Sequence, residues 1–482
     1  MLRGKGMLAT SGTFEANARA GLANDNLQRA LALMRSGFPQ RRRLAVERLP
    51  EFEALREIGK SIKDHALEHL DFYLELFEEN VLASGGQVHW ARTPEEACGA
   101  VLAICRSVDA RLVTKGKSMI AEEVGLNEYL EKNGITTVET DLGEYIIQLR
   151  HEPPSHLIAP AIHLMKEQVA DTFRAEHRTL DPERSLAEAR QLCDEARAVL
   201  RPRFLAADVG ITGANFLVAE TGSSIIVTNE GNGDLTQTLP RVHIVMTSLE
   251  KLVPTLEDAT TLLRLLARSA TGQEFSSYTT VSTGPRQPDD LDGPEQYHVV
   301  LLDNGRSALL ASEFQDMLRC IRCSACMNHC PVYAAVGGHA YGWVYSGPMG
   351  AVLTPSLIGI AEAGHLPNAS TFCGQCENVC PVKIPLPKMM RHWREREFAD
   401  KLNPPVYRSG LSLWAWVARR PALYHALVEL ASRALGWLGR GRGRFRTLPF
   451  ANGWTAVRDL PAPEGRSFHS LWAERRKGGT GK

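Results

Sequence analysis

The spacing of the cysteines is the feature of this sequence that can carry chemistry. Seven of the ten cysteines lie between residues 320 and 380, in two short runs. The first run, C-x2-C-x2-C-x3-C-P, contains Cys320, Cys323, Cys326 and Cys330, followed by Pro331. This is the spacing of bacterial [4Fe-4S] sites, in which three close thiolates bind one cluster and the fourth cysteine binds the other. Zinc more often uses two separated C-x2-C pairs, so the run predicts an iron-sulfur site.

The second run repeats the first without its leading cysteine. It reads C-x2-C-x3-C-P, and Ser370 stands where the missing cysteine would be. Crossed pairing predicts two unequal ligand sets: Cys320, Cys323, Cys326 and Cys380 for a complete cluster, and Cys330, Cys373 and Cys376 for a second cluster with three thiolates.

The vacant position has three interpretations. Ser370 or another oxygen ligand completes a [4Fe-4S] cluster, the site holds a [3Fe-4S] cluster, or one iron stays open to a substrate or partner. A histidine ligand such as His339 is a weaker alternative. With Tyr341, Trp343 and Tyr345, His339 forms an aromatic spacer that we expect to shield the clusters from water. The three remaining cysteines, Cys98, Cys105 and Cys193, are predicted core thiols, because free cysteine is commonly buried.

The predicted secondary structure that must position these cysteines differs from one part of the chain to the next. Residues 1 to about 85 have helical spacing, with apolar positions such as Leu49, Phe52 and Leu55. From Gln87 to about Thr283, short β-branched runs alternate with helical stretches, which predicts an α/β domain with a largely parallel sheet. The runs GITGANFLVAETGSSIIVTNEGN and RVHIVMTS suit antiparallel additions or strand ends that meet glycine-rich loops. A polar loop near residues 284–297 precedes a closing strand, HVVLLDNG.

Charge and hydropathy limit the partners. The 482 residues carry 55 basic and 55 acidic side chains, so the whole chain offers no electrostatic case for nucleic-acid binding. Beyond Asp400, however, 15 Lys and Arg face 4 Asp and Glu, a local net charge of +11, and five of the eight tryptophans lie there: Trp414, Trp416, Trp437, Trp454 and Trp472. We expect this tail to dock on a partner or on the acidic remainder of the chain. We expect neither a transmembrane segment nor a signal peptide, and therefore a cytoplasmic location, with any membrane association passing through partners.

The two cysteine runs, the segment from Gly210 to Gly233 and the spacer GGHAYGWVYSGPMGAVLTP together resemble the lactate utilization protein B family. The resemblance covers about Ala45 to the C-terminal tail. It implies an N-terminal helical region (residues 1–70) and an α/β lactate-utilization domain (71–307) of the NagB/CoA-transferase-like superfold. An α-helical dicluster ferredoxin-like domain (308–400) with two iron-sulfur clusters and a basic, Trp-rich C-terminal domain (401–482) follow.

The implied function is electron transfer within a three-protein complex that oxidises L-lactate to pyruvate, with a redox donor and acceptor among the partners. Two alternatives remain open. In one, the open iron binds a 2-hydroxy acid and Glu220 acts as the base. In the other, the α/β domain is an isomerase-like or transferase-like enzyme and the metal is structural.

The residues themselves also mark a place for a small ligand. Ligands bind at the carboxyl ends of parallel strands, and several polar residues are expected there: Lys115, Lys117, Glu220, Thr221, Asn229, Glu230, Asn232 and Asp234. A small anion near Lys117 and the glycine-rich backbone is the binding hypothesis. The alternative is that the lysines are solvated and that the other residues form ordinary turns.

Overall fold

The computed structural model describes residues 9–448, 455 and 457–478. The chain forms two compact units, one up to Glu397 and one from Phe398 onward. The first unit contains both cysteine runs and the α/β domain, so every candidate ligand lies within it.

Four helices begin the first unit: α1 (Phe14–Ala23), α2 (Asp25–Glu47), α3 (Phe52–Glu68) and α4 (Leu70–Ala83). The side chain of Asn24 caps α2 by accepting a hydrogen bond from the Leu27 amide at 3.0 Å. The buried faces of α2 and α3 share a hydrophobic core with the cysteine loops, through residues such as Leu31, Met34 and Phe52. The helices that the spacing predicts are therefore an integral part of the unit that carries the cysteines.

Six parallel strands form the main sheet in the order β1-β10-β7-β4-β2-β3. Their bounds are β1 (Gln87–Ala91), β2 (Leu112–Gly116), β3 (Thr136–Glu139), β4 (Val209–Thr212), β7 (Val242–Ser248) and β10 (Gln296–Leu302). The predicted alternation of strands and helices is confirmed. The suggestion that RVHIVMTS is an antiparallel addition is wrong: β7 lies between two parallel neighbours and is buried at every position, as β-branched and apolar runs in parallel sheets are.

A second, four-stranded sheet has the order β8-β5-β6-β9. It consists of β5 (Phe216–Val218), β6 (Ser223–Thr228), β8 (Leu252–Val253) and β9 (Tyr278–Ser282). Here β6 pairs antiparallel with both β5 and β9, so the antiparallel pairing expected for the glycine-rich segment occurs between β5 and β6.

Helices cover and connect the two sheets: α5 (Pro94–Ser107), α6 (Met119–Val124), α7 (Leu126–Lys132), α8 (Leu142–Leu149), α9 (Lys166–Glu176), α10 (Ala189–Ala206), α11 (Asn232–Thr238) and α12 (Leu256–Ala270). The side chain of Thr93 caps α5 by accepting a hydrogen bond from the Glu96 amide at 3.3 Å. Gly210 allows β4 and α11 to approach closely, since a Cβ there would lie 1.7 Å from the Thr236 carbonyl oxygen.

Short helices and loops carry the cysteines. They are α13 (Ala325–Asn328), α14 (Tyr333–Val336), α15 (Gly347–Ile358), α16 (Ile360–Ala363), α17 (His365–Asn368) and α18 (Gln375–Asn378), followed by the longer α19 (Leu386–Ala399).

The second unit contains α20 (Pro405–Ala418), α21 (Pro421–Gly439), a two-stranded antiparallel pair of β11 (Arg444–Phe445) and β12 (Leu460–Pro461), and α22 (Phe468–Gly478). Helix α20 buries no residue, and α21 buries only two glycines. Trp414, Trp416, Trp437 and Trp472 are exposed, whereas Trp454 lies outside the described residues. Within the described part of the chain, no helix has the length and apolar character needed to cross a membrane.

Candidate metal centre and adjoining cavity

Four cysteines from both runs surround one small cavity. Cys320, Cys323 and Cys326 line it together with Cys380, which is far away in sequence. The rest of the lining is largely apolar and includes Leu157, Met349, Val382, Ile384 and Leu386. The structure thus brings together the four residues that crossed pairing assigns to one cluster.

The two runs fold alike, which identifies the position of the missing thiol. Arg322 and Ser324 flank Cys323 with φ of 59° and 62°, and Phe372 and Gly374 flank Cys373 with φ of 53° and 80°. A short helix with the next cysteine follows each loop. Because these backbone angles match Cys323 to Cys373, the residue three positions earlier in each run also corresponds, which matches Cys320 to Ser370.

Backbone amides point at the sulfurs. The Tyr333 amide donates to Cys330 Sγ at 3.5 Å, and the Ile384 amide donates to Cys380 Sγ at 3.4 Å. Such donors favour the thiolate form, which is the form that binds metal.

The donor set fits a positively charged, multi-atom group. Burial, and then the other cysteines, raise the pKa of the Cys326 thiol; burial raises that of Cys380 to about 11. Thiols in this setting lose their protons only when a metal supplies compensating charge. Among the described residues, no three His, Cys, Asp or Glu side chains converge on a single metal ion. The ligands of a cluster stand farther apart than those of one ion, because iron and sulfide atoms lie between them.

The second set consists of Cys330, Cys373 and Cys376. Burial and then the charge of Cys330 raise the pKa of Cys376 to about 12. Burial, with a smaller contribution from Cys373, raises the pKa of Cys330. Cys373 is exposed. This set therefore lies nearer the surface than the first. All ten cysteines are free of disulfide bonds.

Two hydroxyl groups, those of Ser370 and Tyr341, are relevant to the missing fourth ligand of the second set. Ser370 is half-buried, and its Oγ accepts a hydrogen bond from the Phe372 amide at 3.2 Å. The buried Tyr341 hydroxyl contacts the Cys330 thiol, and burial and then Cys330 raise the pKa of Tyr341. The contact of Tyr341 agrees with the expected shielding. His339 instead hydrogen-bonds the Pro153 carbonyl at 2.8 Å, an interaction that engages its Nε2.

Two arginines of the N-terminal helices hydrogen-bond the cysteine loops, and no motif in the sequence pointed to either of them. Arg56, on α3, donates to the Cys380 carbonyl at 2.7 Å and to the Asn378 carbonyl at 2.9 Å. Arg42, on α2, donates to the Val379 carbonyl at 3.1 Å. Their guanidinium groups place positive charge beside the cluster-binding loops.

A second cavity, of about 140 Å³, opens at the carboxyl ends of β2, β4 and β7. Lys117 lies in its wall and pairs with Asp141 at 3.2 Å, while the Lys117 amide donates to Glu144. Burial, then Glu139 and Asp141, raise the pKa of Glu144 well above its usual range. The expected position of a small-ligand site, near Lys117, coincides with this cavity.

Lys115 does not serve the cavity. It is buried and paired with Glu122 and Glu139; burial favours a lower pKa, but these carboxylates raise it above its usual range. Adjacent residues of one strand point to opposite faces, but Lys115 and Lys117 are two apart. They separate because β2 ends at Gly116 and Lys117 has a φ of 47°.

Most of the other polar residues expected at the small-ligand site make hydrogen bonds outside this cavity or line another groove. Glu220 is exposed and accepts a hydrogen bond from the Leu256 amide at the start of α12, so it is not a base facing the cavity. Thr221 donates a hydrogen bond to Ser223, and Asp234 accepts one from Thr280 on β9. Asn229 lines the cavity, whereas Glu230 and Asn232 line a separate groove beside α10.

A buried charge network connects the cavity with the first cysteine run. Arg306 pairs with Glu123 at 2.6 Å and with Glu250 at 3.1 Å, and Glu250 also pairs with Arg322 at 2.9 Å. Arg322 lies between Cys320 and Cys323 and lines both cavities. Next to Glu250, Lys251 enters the cavity wall; burial and then Arg322 lower its pKa to about 7.

The three other cysteines behave differently from one another. Cys98 and Cys105 are buried in the core beneath the main sheet, as predicted. The prediction of a core position is wrong for Cys193, which is exposed on α10. The helix turns that residue outward.

Three family models match consecutive parts of the chain. They are described as LUD domain (residues 74–302), 4Fe-4S dicluster domain (316–384) and Lactate utilisation protein B, C-terminal (402–477). The α/β domain is therefore a LUD domain, and the region with the cysteine loops is a 4Fe-4S dicluster domain.

Several curated proteins are similar over nearly their whole length, and each is named Lactate utilization protein B. The protein from Bacillus licheniformis is 42% identical over 96% of this chain and 97% of its own. The one from Oceanobacillus iheyensis is 44% identical over 95% of each chain. The one from Bacillus subtilis is 42% identical over 96% of each chain. A crystal structure of a DUF162 family protein from Deinococcus radiodurans aligns with 48% of this chain and 98% of its own at 14% identity, with a TM-score of 0.26.

Proposed function

The chain belongs to the lactate utilization protein B family, and from this premise we propose that it transfers electrons between two iron-sulfur clusters in a three-protein complex that oxidises L-lactate to pyruvate. The observation that carries the proposal is the cavity lined by Cys320, Cys323, Cys326 and Cys380. When bound, an iron-sulfur cluster accepts and releases single electrons, with a potential set by hydrogen bonds and exposure.

The chain's own residues fit the task of holding such clusters. Backbone amides donate to Cys330 and Cys380, and the apolar lining of the first cavity excludes water. Arg42 and Arg56 add positive charge beside the loops, which offsets the negative charge of thiolate ligands. We also propose that the LUD domain is related to the sugar-phosphate isomerase and CoA-transferase superfold, and that the dicluster domain is helical and ferredoxin-like.

The second set, Cys330, Cys373 and Cys376, holds a [3Fe-4S] cluster in this proposal. Ser370 occupies the place of the eighth thiol, but its hydroxyl is hydrogen-bonded within its own loop. A cluster that lacks a fourth ligand loses its fourth iron most readily, which favours the three-iron form.

The test is electron paramagnetic resonance and iron analysis of anaerobically purified protein. We expect visible absorption that bleaches on reduction, a [3Fe-4S] signal in the oxidised state and about seven iron atoms per chain. The variant Ser370→Cys should replace that signal by a second [4Fe-4S] signal and raise the iron content to about eight. The control Ser185→Cys, which adds a thiol outside both runs, should change neither.

Two results would contradict the proposal. Colourless protein that contains zinc would exclude the electron-transfer role. Wild-type protein with eight iron atoms and no three-iron signal would leave that role intact but exclude three-thiolate binding. We also expect no oxidation of L-lactate by this chain without its partner subunits.

A further inference from the structure

The cavity at the carboxyl edge of the main sheet has a cationic end that lacks a counterion. Lys251 is 7% exposed, and no ion pair joins its Nζ to a carboxylate of the described residues. The neighbouring carboxylate, Glu250, is already shared by Arg306 and Arg322. An ammonium buried without a partner is costly, so an anion in the cavity would stabilise it.

Two further groups at the same end each have one polar atom without a hydrogen-bond partner among the described residues. Arg322 lines the cavity, and its Nη1 has no hydrogen-bond acceptor. Thr247 is 1% exposed and its Oγ1 is likewise without a partner. Buried polar atoms are nearly always hydrogen-bonded. Two unpartnered atoms beside an ammonium without an ion pair, all around one cavity, indicate a bound ligand.

The acidic residues of the cavity do not cancel this charge. Asp141 is neutralised by Lys117 at 3.2 Å, and Glu144 accepts from the Lys117 amide. The remaining wall mixes apolar side chains such as Leu157, Ile158 and Met246 with the polar Asn215 and Thr228. A volume of about 140 Å³ suits a molecule of a few heavy atoms.

We propose that this cavity binds a small 2-hydroxy or 2-oxo carboxylate, with Lys251 and Arg322 holding its carboxylate and Thr247 hydrogen-bonding its 2-oxygen. This inference rests on the proposed function for the choice of carboxylate. Arg322 and Leu157 form a wall common to this cavity and the cavity of the first cysteine set. The ligand therefore lies one side chain away from the site proposed for the first cluster, in a position where its charge lowers the potential of that cluster.

The experiment measures binding of L-lactate, pyruvate, acetate and inorganic phosphate to anaerobically purified, full-length protein by calorimetry. Lys251→Met should weaken the binding of both 2-substituted acids about tenfold or more, since it removes a charge-assisted hydrogen bond. Thr247→Val, which keeps the shape of the side chain, should weaken L-lactate and pyruvate and leave acetate unchanged. The control Lys166→Met, which removes an exposed lysine on α9, should leave all affinities unchanged.

A second experiment measures the reduction potential of the protein with and without L-lactate. We expect a shift to lower potential in the wild type and in Lys166→Met, and a smaller shift in Lys251→Met. Thr247→Val keeps the binding test decisive if Lys251→Met does not fold, as judged by circular dichroism and iron content.

Several outcomes would overturn the inference. If phosphate binds but neither L-lactate nor pyruvate does, the cavity binds inorganic anions instead. If Lys251→Met and Lys166→Met change the affinities for the two acids equally, the acids do not bind in this cavity. The iron analysis separates this inference from the proposed function. Protein with both clusters and no affinity for either acid overturns the inference alone, whereas protein without clusters overturns the proposed function.

Discussion

At the scale of single residues, Arg306 is a buried cation that pairs with two buried carboxylates. It is 1% exposed and holds two buried carboxylates, Glu123 and Glu250. The Tyr345 hydroxyl also donates to Glu123, at 2.5 Å. The network positions the loop that carries Arg322, and through it the wall between the two cavities.

Replacing Arg306 by methionine leaves Glu123 buried without its cation. We expect a loss of about 3–5 kcal/mol in the free energy of unfolding, seen as a lower urea midpoint by circular dichroism. Arg286→Met is the matched control. Its ion pair with Glu295 at 3.0 Å is exposed, and such pairs contribute about 0–1 kcal/mol. Equal midpoints for the two variants would mean that the buried network adds nothing to stability.

At the scale of elements, three neighbouring strands carry a row of histidines. His89 on β1 lies 3.1 Å from His298 on β10, and His243 on β7 is hydrogen-bonded to Thr212 at 2.8 Å. Burial, and then His298, lower the pKa of His243 to about 3; burial, and then His89, lower that of His298 to about 4. The sheet therefore holds these rings neutral.

This row makes the stability of the fold depend on pH. In the unfolded chain a histidine titrates near pH 6.5, so between about pH 6.5 and 3 the unfolded state binds more protons than the folded state. The contribution of these neutral histidines to the free energy of unfolding is fully present above about pH 6.5 and is lost as the pH falls toward their lowered pKa values. His243→Gln should reduce the slope of the urea midpoint against pH in this window, where each proton corresponds to about 1.4 kcal/mol per pH unit. His69→Gln, at an exposed histidine, should leave the slope unchanged; an unchanged slope in His243→Gln would contradict the prediction.

At the scale of the whole molecule, the C-terminal unit presents an unusual surface. Trp414, Trp416 and Trp437 are between 51% and 69% exposed, on helices that bury almost nothing. Arg420 lies 4.1 Å above the ring of Trp416. The chain beyond Asp400 has a net charge of +11. In the complex proposed above, we therefore expect this surface to contact an acidic partner subunit.

The double variant Trp414→Ser, Trp416→Ser should weaken binding to the purified partner subunits about tenfold or more, because aromatic anchors contribute most to such interfaces. Binding of the wild type should also weaken with salt, which screens the basic surface. Trp90→Ser, at an exposed tryptophan in the first unit, is the control and should bind as the wild type does. Partner binding that survives the double variant would exclude this surface as the interface.

The spacing of residues along the chain determined a large part of what can be said about this protein. The spacing within the two cysteine runs, with the crossed pairing that it predicts, was sufficient to group four residues that line one cavity: Cys320, Cys323, Cys326 and Cys380. Local spacing is sufficient because it determines the conformation of each ligand loop. Alternating strands and helices predicted the parallel sheet for the same reason. The local pattern could not say which way Cys193 faces, nor that Glu220 caps a helix.

Only the tertiary structure decided which charges stay unpaired. Lys115 and Lys251 are both lysines near strand ends, yet Lys115 meets two carboxylates and Lys251 meets none among the described residues. Arg42 and Arg56 likewise reach the cysteine loops from helices more than three hundred residues away in sequence. These partners come together through packing between distant elements. A sequence determines the local geometry of a ligand loop, whereas the electrostatic surroundings of that loop depend on the whole fold.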